Sequence, residues 1–254
     1  MDVPRGTILT DAFEKAGLQP DEKAAARFLL YNDLLIETNR SLNLTAITEF
    51  DEVVVKHFLD SCMPLGDRAG LFMGRDAAET SGEMPAGLSL VDVGTGAGFP
   101  GLPLKIMLPE IRLTLIDSLR KRVDFLKETV SALSLDGTEC IHARAEEAGR
   151  DLALREQFDI AVSRAVARLS ILSEYVLPFV KEQGVFIAYK SGEVEEELRD
   201  AENALQILGG SVEKVSTFTL PGTDIQRSLV YIRKTLETPE KYPRRAGKPE
   251  KSPL

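Results

Sequence analysis

Gly94, Gly96, Gly98 and Gly101 place four glycines within eight residues, directly after the apolar run from Leu88 to Val93. An apolar segment from Leu102 to Leu108 follows and reads as a helix. Strand, glycine turn and helix is the arrangement by which α/β proteins hold a nucleotide-like ligand. Glycine allows the backbone to turn with φ > 0 and to approach a ligand with no Cβ in the way. The helix start then offers unpaired N–H groups. A turn that binds nothing has little use for so many glycines, since each costs about 1 kcal/mol in regular structure.

Two frames fit this loop. Gly96-x-Gly98-x-x-Gly101 matches the dinucleotide fingerprint, and Asp117 follows where a ribose-binding acid belongs. The earlier frame, Asp92-x-Gly94-x-Gly96-x-Gly98, resembles the first motif of Rossmann-like S-adenosylmethionine (SAM) methyltransferases. An acid at the strand end accepts from the ammonium of SAM, directly or through water, whereas it would repel a pyrophosphate. Asp92 therefore favours SAM. An NAD(P)-dependent oxidoreductase using Asp117 is the alternative, and it predicts protection against unfolding by NADH.

The elements that carry these residues alternate in the pattern of a doubly wound parallel sheet. Strands are expected at Leu88–Val93, Arg112–Ile116, Thr138–Ala143, Phe158–Ser163 and Gly184–Tyr189, with helices such as Arg120–Leu133 and Leu169–Val180 between them. After a helix from Val194 to Leu208, two strands, Ser211–Thr219 and Ser228–Arg233, flank the turn Leu220-Pro221-Gly222-Thr223. The result is a seven-stranded, mainly parallel sheet closed by an antiparallel C-terminal hairpin, the class I methyltransferase arrangement. Residues 1–66 read as a helical N-terminal extension, with Asp51 as the N-cap of a short helix through Cys62. Residues 67–87 read as a linker, 88–236 as the catalytic domain and 237–254 as a basic, extended tail.

Composition narrows the class. The chain has 254 residues, 43% of them hydrophobic, and a net charge of −9. Its tail from Thr238 sets Lys241, Arg244, Arg245, Lys248 and Lys251 against Glu240 and Glu250, a net +3 that leaves −12 elsewhere. An acidic body with local basic patches still binds RNA within a Debye length. No apolar run reaches membrane-spanning length, so no membrane partner is expected. Cys62 and Cys140 lack metal spacing and suit a reducing cytoplasm. With only His57 and His142, no metal site is expected.

The motifs occur in a telling order. Asn43-Leu44-Thr45 and His57-Phe58-Leu59-Asp60-Ser61 precede the glycine loop, and Leu115-to-Arg122, Arg144-Ala145-Glu146-Glu147 and Val162-Ser163-Arg164-Ala165 follow it. Together they resemble the RsmG (GidB) family of bacterial small-subunit ribosomal RNA methyltransferases, over about residues 25–235 plus Tyr242-Pro243-Arg244-Arg245-Ala246-Gly247. The resemblance implies SAM as cofactor, methyl transfer to a guanine N7, and 16S rRNA or a small ribosomal subunit particle as partner of a cytoplasmic monomer. Carried onto this sequence, it makes Gly94, Phe99, Ala145, Glu146 and Arg164 cofactor-site residues, with Asp92, Gly96, Gly98 and Asp117 as further candidates. Asp117 as a helix cap, Glu146 as a solvated acid and Arg164 as a structural ion pair remain open readings. His57 reads first as a packing residue of the N-terminal helices.

Guanine N7 has a free lone pair and no proton, so its methylation needs no general base. Positioning and electrostatics suffice. Arg164 or Lys190 could donate to the N7 and O6 acceptors of the base, and Arg164 could equally serve the SAM carboxylate or the RNA. Arg120, Lys121 and Arg122 start a helix where cations oppose the macrodipole, which suggests phosphate contacts. With Asn43 to Thr45, Arg227, Arg244 and Arg245 they form the expected RNA surface, and tail neutralisation should spare SAM binding. A non-catalytic ribosome-assembly factor is a second alternative.

Overall fold

The computed structural model describes residues 3–67, 87–164 and 167–254. The expected linker falls largely outside these residues, as do Ala165 and Val166. Among the described residues, seven strands form one sheet in the order β3-β2-β1-β4-β5-β7-β6. They are β1 (Ser89–Val93), β2 (Arg112–Asp117), β3 (Thr138–His142), β4 (Phe158–Arg164), β5 (Val180–Ser191), β6 (Gly210–Thr219) and β7 (Gln226–Lys234). The first five pair in parallel, and β7 pairs antiparallel with both β5 and β6. The expected Rossmann-like methyltransferase sheet, with its C-terminal hairpin, is the one observed. Strand order reverses between β1 and β4, and that switch point opens a crevice at the carboxyl edge.

Side chains alternate across the sheet and feed two cores. Leu90, Leu113, Leu115, Ile160, Val162 and Ile187 face one layer. It holds α1 (Arg5–Glu14), α2 (Glu22–Leu42), α5 (Gly101–Met107) and α6 (Arg120–Ala132). Val91, Val93, Ile116, Ala161, Phe186 and Ala188 face the other, formed by α7 (Ala145–Ala148), α8 (Leu169–Val176) and α9 (Glu195–Leu208).

The N-terminal helices reach the glycine loop through a chain of rings. Phe28 lies 5.0 Å from Phe58, Tyr31 lies 5.4 Å from Phe99, and the Tyr31 hydroxyl donates to the Ala97 carbonyl at 2.5 Å. Between them the helix is irregular. α3 (Phe50–Val53) passes into a π-helical stretch, Val54–Leu59, and then into α4 (Asp60–Cys62). Such widened turns often accompany functional sites. Here it carries His57 and delivers Asp60 to the crevice. The N-cap is Glu49 rather than Asp51, which lies inside the first turn.

The tail is packed, contrary to the expectation of an extended arm. Lys234 is fully buried and donates to Glu156, the Leu177 and Val180 carbonyls and the Thr238 hydroxyl. Arg155 donates to the carbonyls of Thr238 and Tyr242, and Arg150 to those of Lys241 and Pro243. Tyr242 enters the second core, and the chain ends in a short helix, α10 (Lys248–Lys251).

Candidate functional site

A cavity of about 480 Å³ opens at the switch point, lined by Gly94, Thr95, Gly96, Ala97 and Phe99 from the loop after β1. The loop is held from both sides by carboxylates. Asp92, fully buried, accepts from the Thr95 hydroxyl at 2.6 Å and from the Gly101 N–H at 2.7 Å. Asp117 accepts from the Gly96 N–H and the Leu119 N–H, both at 2.9 Å. One acid thus fixes the loop and the start of the next segment together. Gly96 has φ +62, and a Cβ there would meet nothing within 4 Å. Its bare face is turned to open space, as a ligand-cradling glycine requires. A Cβ on Gly98 would instead strike Leu102 and lie 2.6 Å from the Tyr31 hydroxyl oxygen.

At its far end the cavity is lined by Ala143, Arg144, Ala145, Glu146, Tyr175 and Glu250. Glu146, only 6% exposed, accepts from the Gly247 N–H at 3.1 Å. The tail is locked just before this point. Glu174 is fully buried and accepts from the Arg244 N–H at 2.7 Å and from its guanidinium at Nε and Nη2.

At the near end stand Arg164 and His57, which also line a second cavity of about 750 Å³. Asp60, 2% exposed, is shared by two arginines. Arg164 Nη1 donates to one oxygen at 3.0 Å, and Arg227 Nε donates to the other at 3.1 Å. The Arg164 guanidinium lies 5.1 Å over the Phe99 ring, within cation–π range. His57 stacks on Phe99 at 4.5 Å and bonds Thr45 Oγ1 at 2.8 Å. Burial, and then the neighbouring Arg164 charge, hold its pKa down to about 3, so it is neutral at working pH. Lys190, also in the second cavity, donates to the Ala167 carbonyl at 2.8 Å and to Glu197 at 2.6 Å.

The comparisons with known proteins decide the family. A family model described as "GidB: rRNA small subunit methyltransferase G" matches residues 24–230. This chain belongs to the GidB family. The ribosomal RNA small subunit methyltransferase G of Lachnoclostridium phytofermentans is 50% identical over 238 residues, covering 94% of this chain and 93% of that protein. The protein of the same name from Alkaliphilus metalliredigens is 45% identical over 247 residues, 97% of this chain and 98% of the relative. Among solved structures, the crystal structure of a mutant of MtNAS superposes with TM-score 0.53 at 16% identity, covering 91% of this chain and 86% of that one. This last likeness concerns the fold alone. The enzyme class expected from the sequence, an rRNA methyltransferase, agrees with this membership.

The GidB-family cavity brings together Gly94, Gly96, Phe99, Asp117, Ala145, Glu146 and Arg164. Two cofactor candidates fall elsewhere. Asp92 turns inward to the loop, and its second oxygen is buried without a partner among the described residues. Burial pushes its pKa up to about 7, against the hydrogen bonds from Thr95 and Gly101. Gly98 serves the packing of α5 and Tyr31. The expected RNA residues separate as well. Arg120, Lys121 and Arg245 are exposed. Arg122 lines the first cavity, 3.6 Å from Asp117, and Arg227 lines the second. Arg244 is half-buried, with its guanidinium paired to buried Glu174. Sequence reading missed Asp60, Glu174, Tyr175 and Glu250. All four act through contacts far apart in the chain, such as the 104-residue separation of Asp60 and Arg164.

The lining suits SAM on its own chemistry. Gly94 and Gly96 offer bare backbone, Phe99 an apolar wall, and Glu146 and Glu250 acceptors for amino or hydroxyl donors.

Proposed function

We propose that this protein transfers a methyl group from SAM to the N7 of a guanine in 16S rRNA, with cofactor in the first cavity and base in the second. The observation that carries this reading is the junction. Arg164 and His57 line both cavities, so a base in one lies beside a cofactor in the other. When bound, SAM supplies an electrophilic methyl on a sulfonium. The residues supply position and charge.

The chemistry at the junction matches an acceptor that carries no proton. His57, with its pKa held down to about 3, is a poor general base at neutral pH. Asp60 has both oxygens engaged by arginines. Two arginines against one carboxylate leave a net positive junction with unused guanidinium N–H groups. Those suit the N7 and O6 acceptors of guanine. Lys190 is neutralised by Glu197, so Arg164 is the better base-orienting donor.

Outside the junction, Arg120, Lys121 and Arg245 offer exposed charge for the RNA backbone, each contact adding salt dependence. The protein works as a monomer in the cytoplasm, a setting that suits its two free cysteines. Among the described residues no helix is long and apolar enough to cross a membrane.

The test is tritiated methyl transfer from SAM to small subunits and free 16S rRNA from cells lacking this protein. Label recovered as N7-methylguanosine supports the reading. SAM binding without label would favour a non-catalytic assembly factor, and NADH protection without SAM binding would revive the oxidoreductase.

A further inference from the structure

Residues 242–251 do more than end the chain. Their fold-back is fixed at both flanks. Arg244 neutralises fully buried Glu174, and Arg150 and Arg155 grip the carbonyls of Lys241, Tyr242 and Pro243. Beyond this latch, the Gly247 N–H binds Glu146 and Pro249 is buried. The segment then delivers Glu250 into the lining of the first cavity, beside Tyr175. An arm that merely solvated its lysines and arginines would need none of these contacts.

The end of the cavity at which Glu250 stands is informative. Arg164 and His57 mark the end shared with the second cavity, where the transferable methyl must lie. The opposite end, at Ala145, Glu146, Tyr175 and Glu250, is left for the nucleobase. Among the described residues, three carboxylates line the cavity: Asp117, Glu146 and Glu250. Both oxygens of Asp117 are held by backbone N–H groups, and Glu146 receives Gly247. Among the described residues, Glu250 receives only the Tyr175 hydroxyl, at 3.3 Å. It therefore keeps acceptor capacity for a ligand.

We propose that the C-terminal segment is the nucleobase wall of the cofactor cavity, and that the Glu250 carboxylate accepts a hydrogen bond from the exocyclic amino group of the purine. This rests on the reading of the first cavity as the SAM site. It reverses the expectation that the tail serves RNA and is dispensable for SAM. Arg245, Lys248 and Glu250 are all exposed, but of the three only Glu250 stands at the rim of the first cavity, where its carboxylate lines the opening.

The experiment measures binding of S-adenosylhomocysteine and of S-inosylhomocysteine, which lacks the exocyclic amino group, by calorimetry. The proteins are the full chain, Glu250→Ala, and a chain ending at Arg244. The truncation keeps the Arg244–Glu174 latch, and melting of each unliganded protein checks that it is folded. Glu250→Ala should weaken the adenosyl ligand about tenfold, one charge-assisted hydrogen bond. It should leave the inosyl ligand within about twofold, the scatter between comparable sites. The truncation should weaken the adenosyl ligand at least as much. Unchanged adenosyl affinity in both variants overturns the proposal. Equal loss of both ligands in Glu250→Ala overturns the amino-group contact. Failure of the full chain to bind either ligand would instead sink the SAM-site reading, and this inference with it.

Discussion

The two cavities that meet at Arg164 are built from different materials. The first is backbone held in place by carboxylates: Gly96 by Asp117, and Gly101 and Thr95 by Asp92. The second is lined by cations that are already paired, Arg164 and Arg227 with Asp60 and Lys190 with Glu197. A site of the first kind is preorganised for one small ligand and changes shape little on binding. A site of the second kind holds its cations in fixed poses, which limits nonspecific attraction for RNA. On the proposed reading it keeps directed donors for one base. The difference teaches that net charge says little about RNA recognition here. On the proposed reading, what matters is which cations keep unused N–H groups at the junction.

Substitutions at the glycines should break this contrast most visibly. Gly98→Ala places a methyl against Leu102 and the Tyr31 hydroxyl at φ +103, and should cost about 2–4 kcal/mol of stability by overpacking and backbone strain. Denaturant unfolding measures this, and a loss under about 0.5 kcal/mol, the range of an ordinary surface change, would refute the packing role. Asp117→Ala orphans two N–H groups and should weaken S-adenosylhomocysteine binding about tenfold or more. Calorimetry would read it, and undiminished affinity would mean that the loop holds its shape without the acid.

Asp92 gives a pH signature that the second cavity lacks. Its folded pKa, about 7, lies above the unfolded value of 3.8. The stability linked to it is therefore fully present below the unfolded value and lost as pH rises through 7. Melting temperature should fall between about pH 4 and 7, and Asp92→Asn should flatten that fall. Parallel slopes for the two proteins would show that other groups titrate. The smallest effect belongs to Gly96→Ala. With space around its Cβ and φ +62, it should cost only about 1 kcal/mol of stability. Its methyl points into open space at the cavity wall, so ligand affinity should drop more than stability does.

Much of the architecture was legible because strands of a doubly wound sheet are buried on both faces and read as apolar runs. The residues at strand ends, Gly94, Asp117, Ala145, Glu146 and Arg164, share the carboxyl edge for the same reason. Long-range electrostatics were not legible. Nothing local in Asp60 announces that Arg164 and Arg227 converge on it from β4 and β7. The tail misled because Lys, Arg and Pro read as solvated chain, whereas Arg244 answers a buried acid 70 residues away. Asp92 was read for its charge toward a ligand, but the Thr95 hydroxyl and the Gly101 N–H claim it first.

The central claim is that Arg164 stands between a cofactor cavity and an acceptor cavity. We would measure S-adenosylhomocysteine affinity and the single-turnover methyl-transfer rate on small subunits for two variants, Gly96→Val and Arg164→Ala. Gly96→Val should abolish cofactor binding by pushing a branched side chain into the first cavity from the loop wall. Arg164→Ala should keep cofactor affinity within about fivefold, or about 1 kcal/mol, while the transfer rate falls about a hundredfold, the scale of one lost transition-state donor. Loss of cofactor affinity in Arg164→Ala as large as its loss of rate would contradict the account and return Arg164 to the cofactor alone.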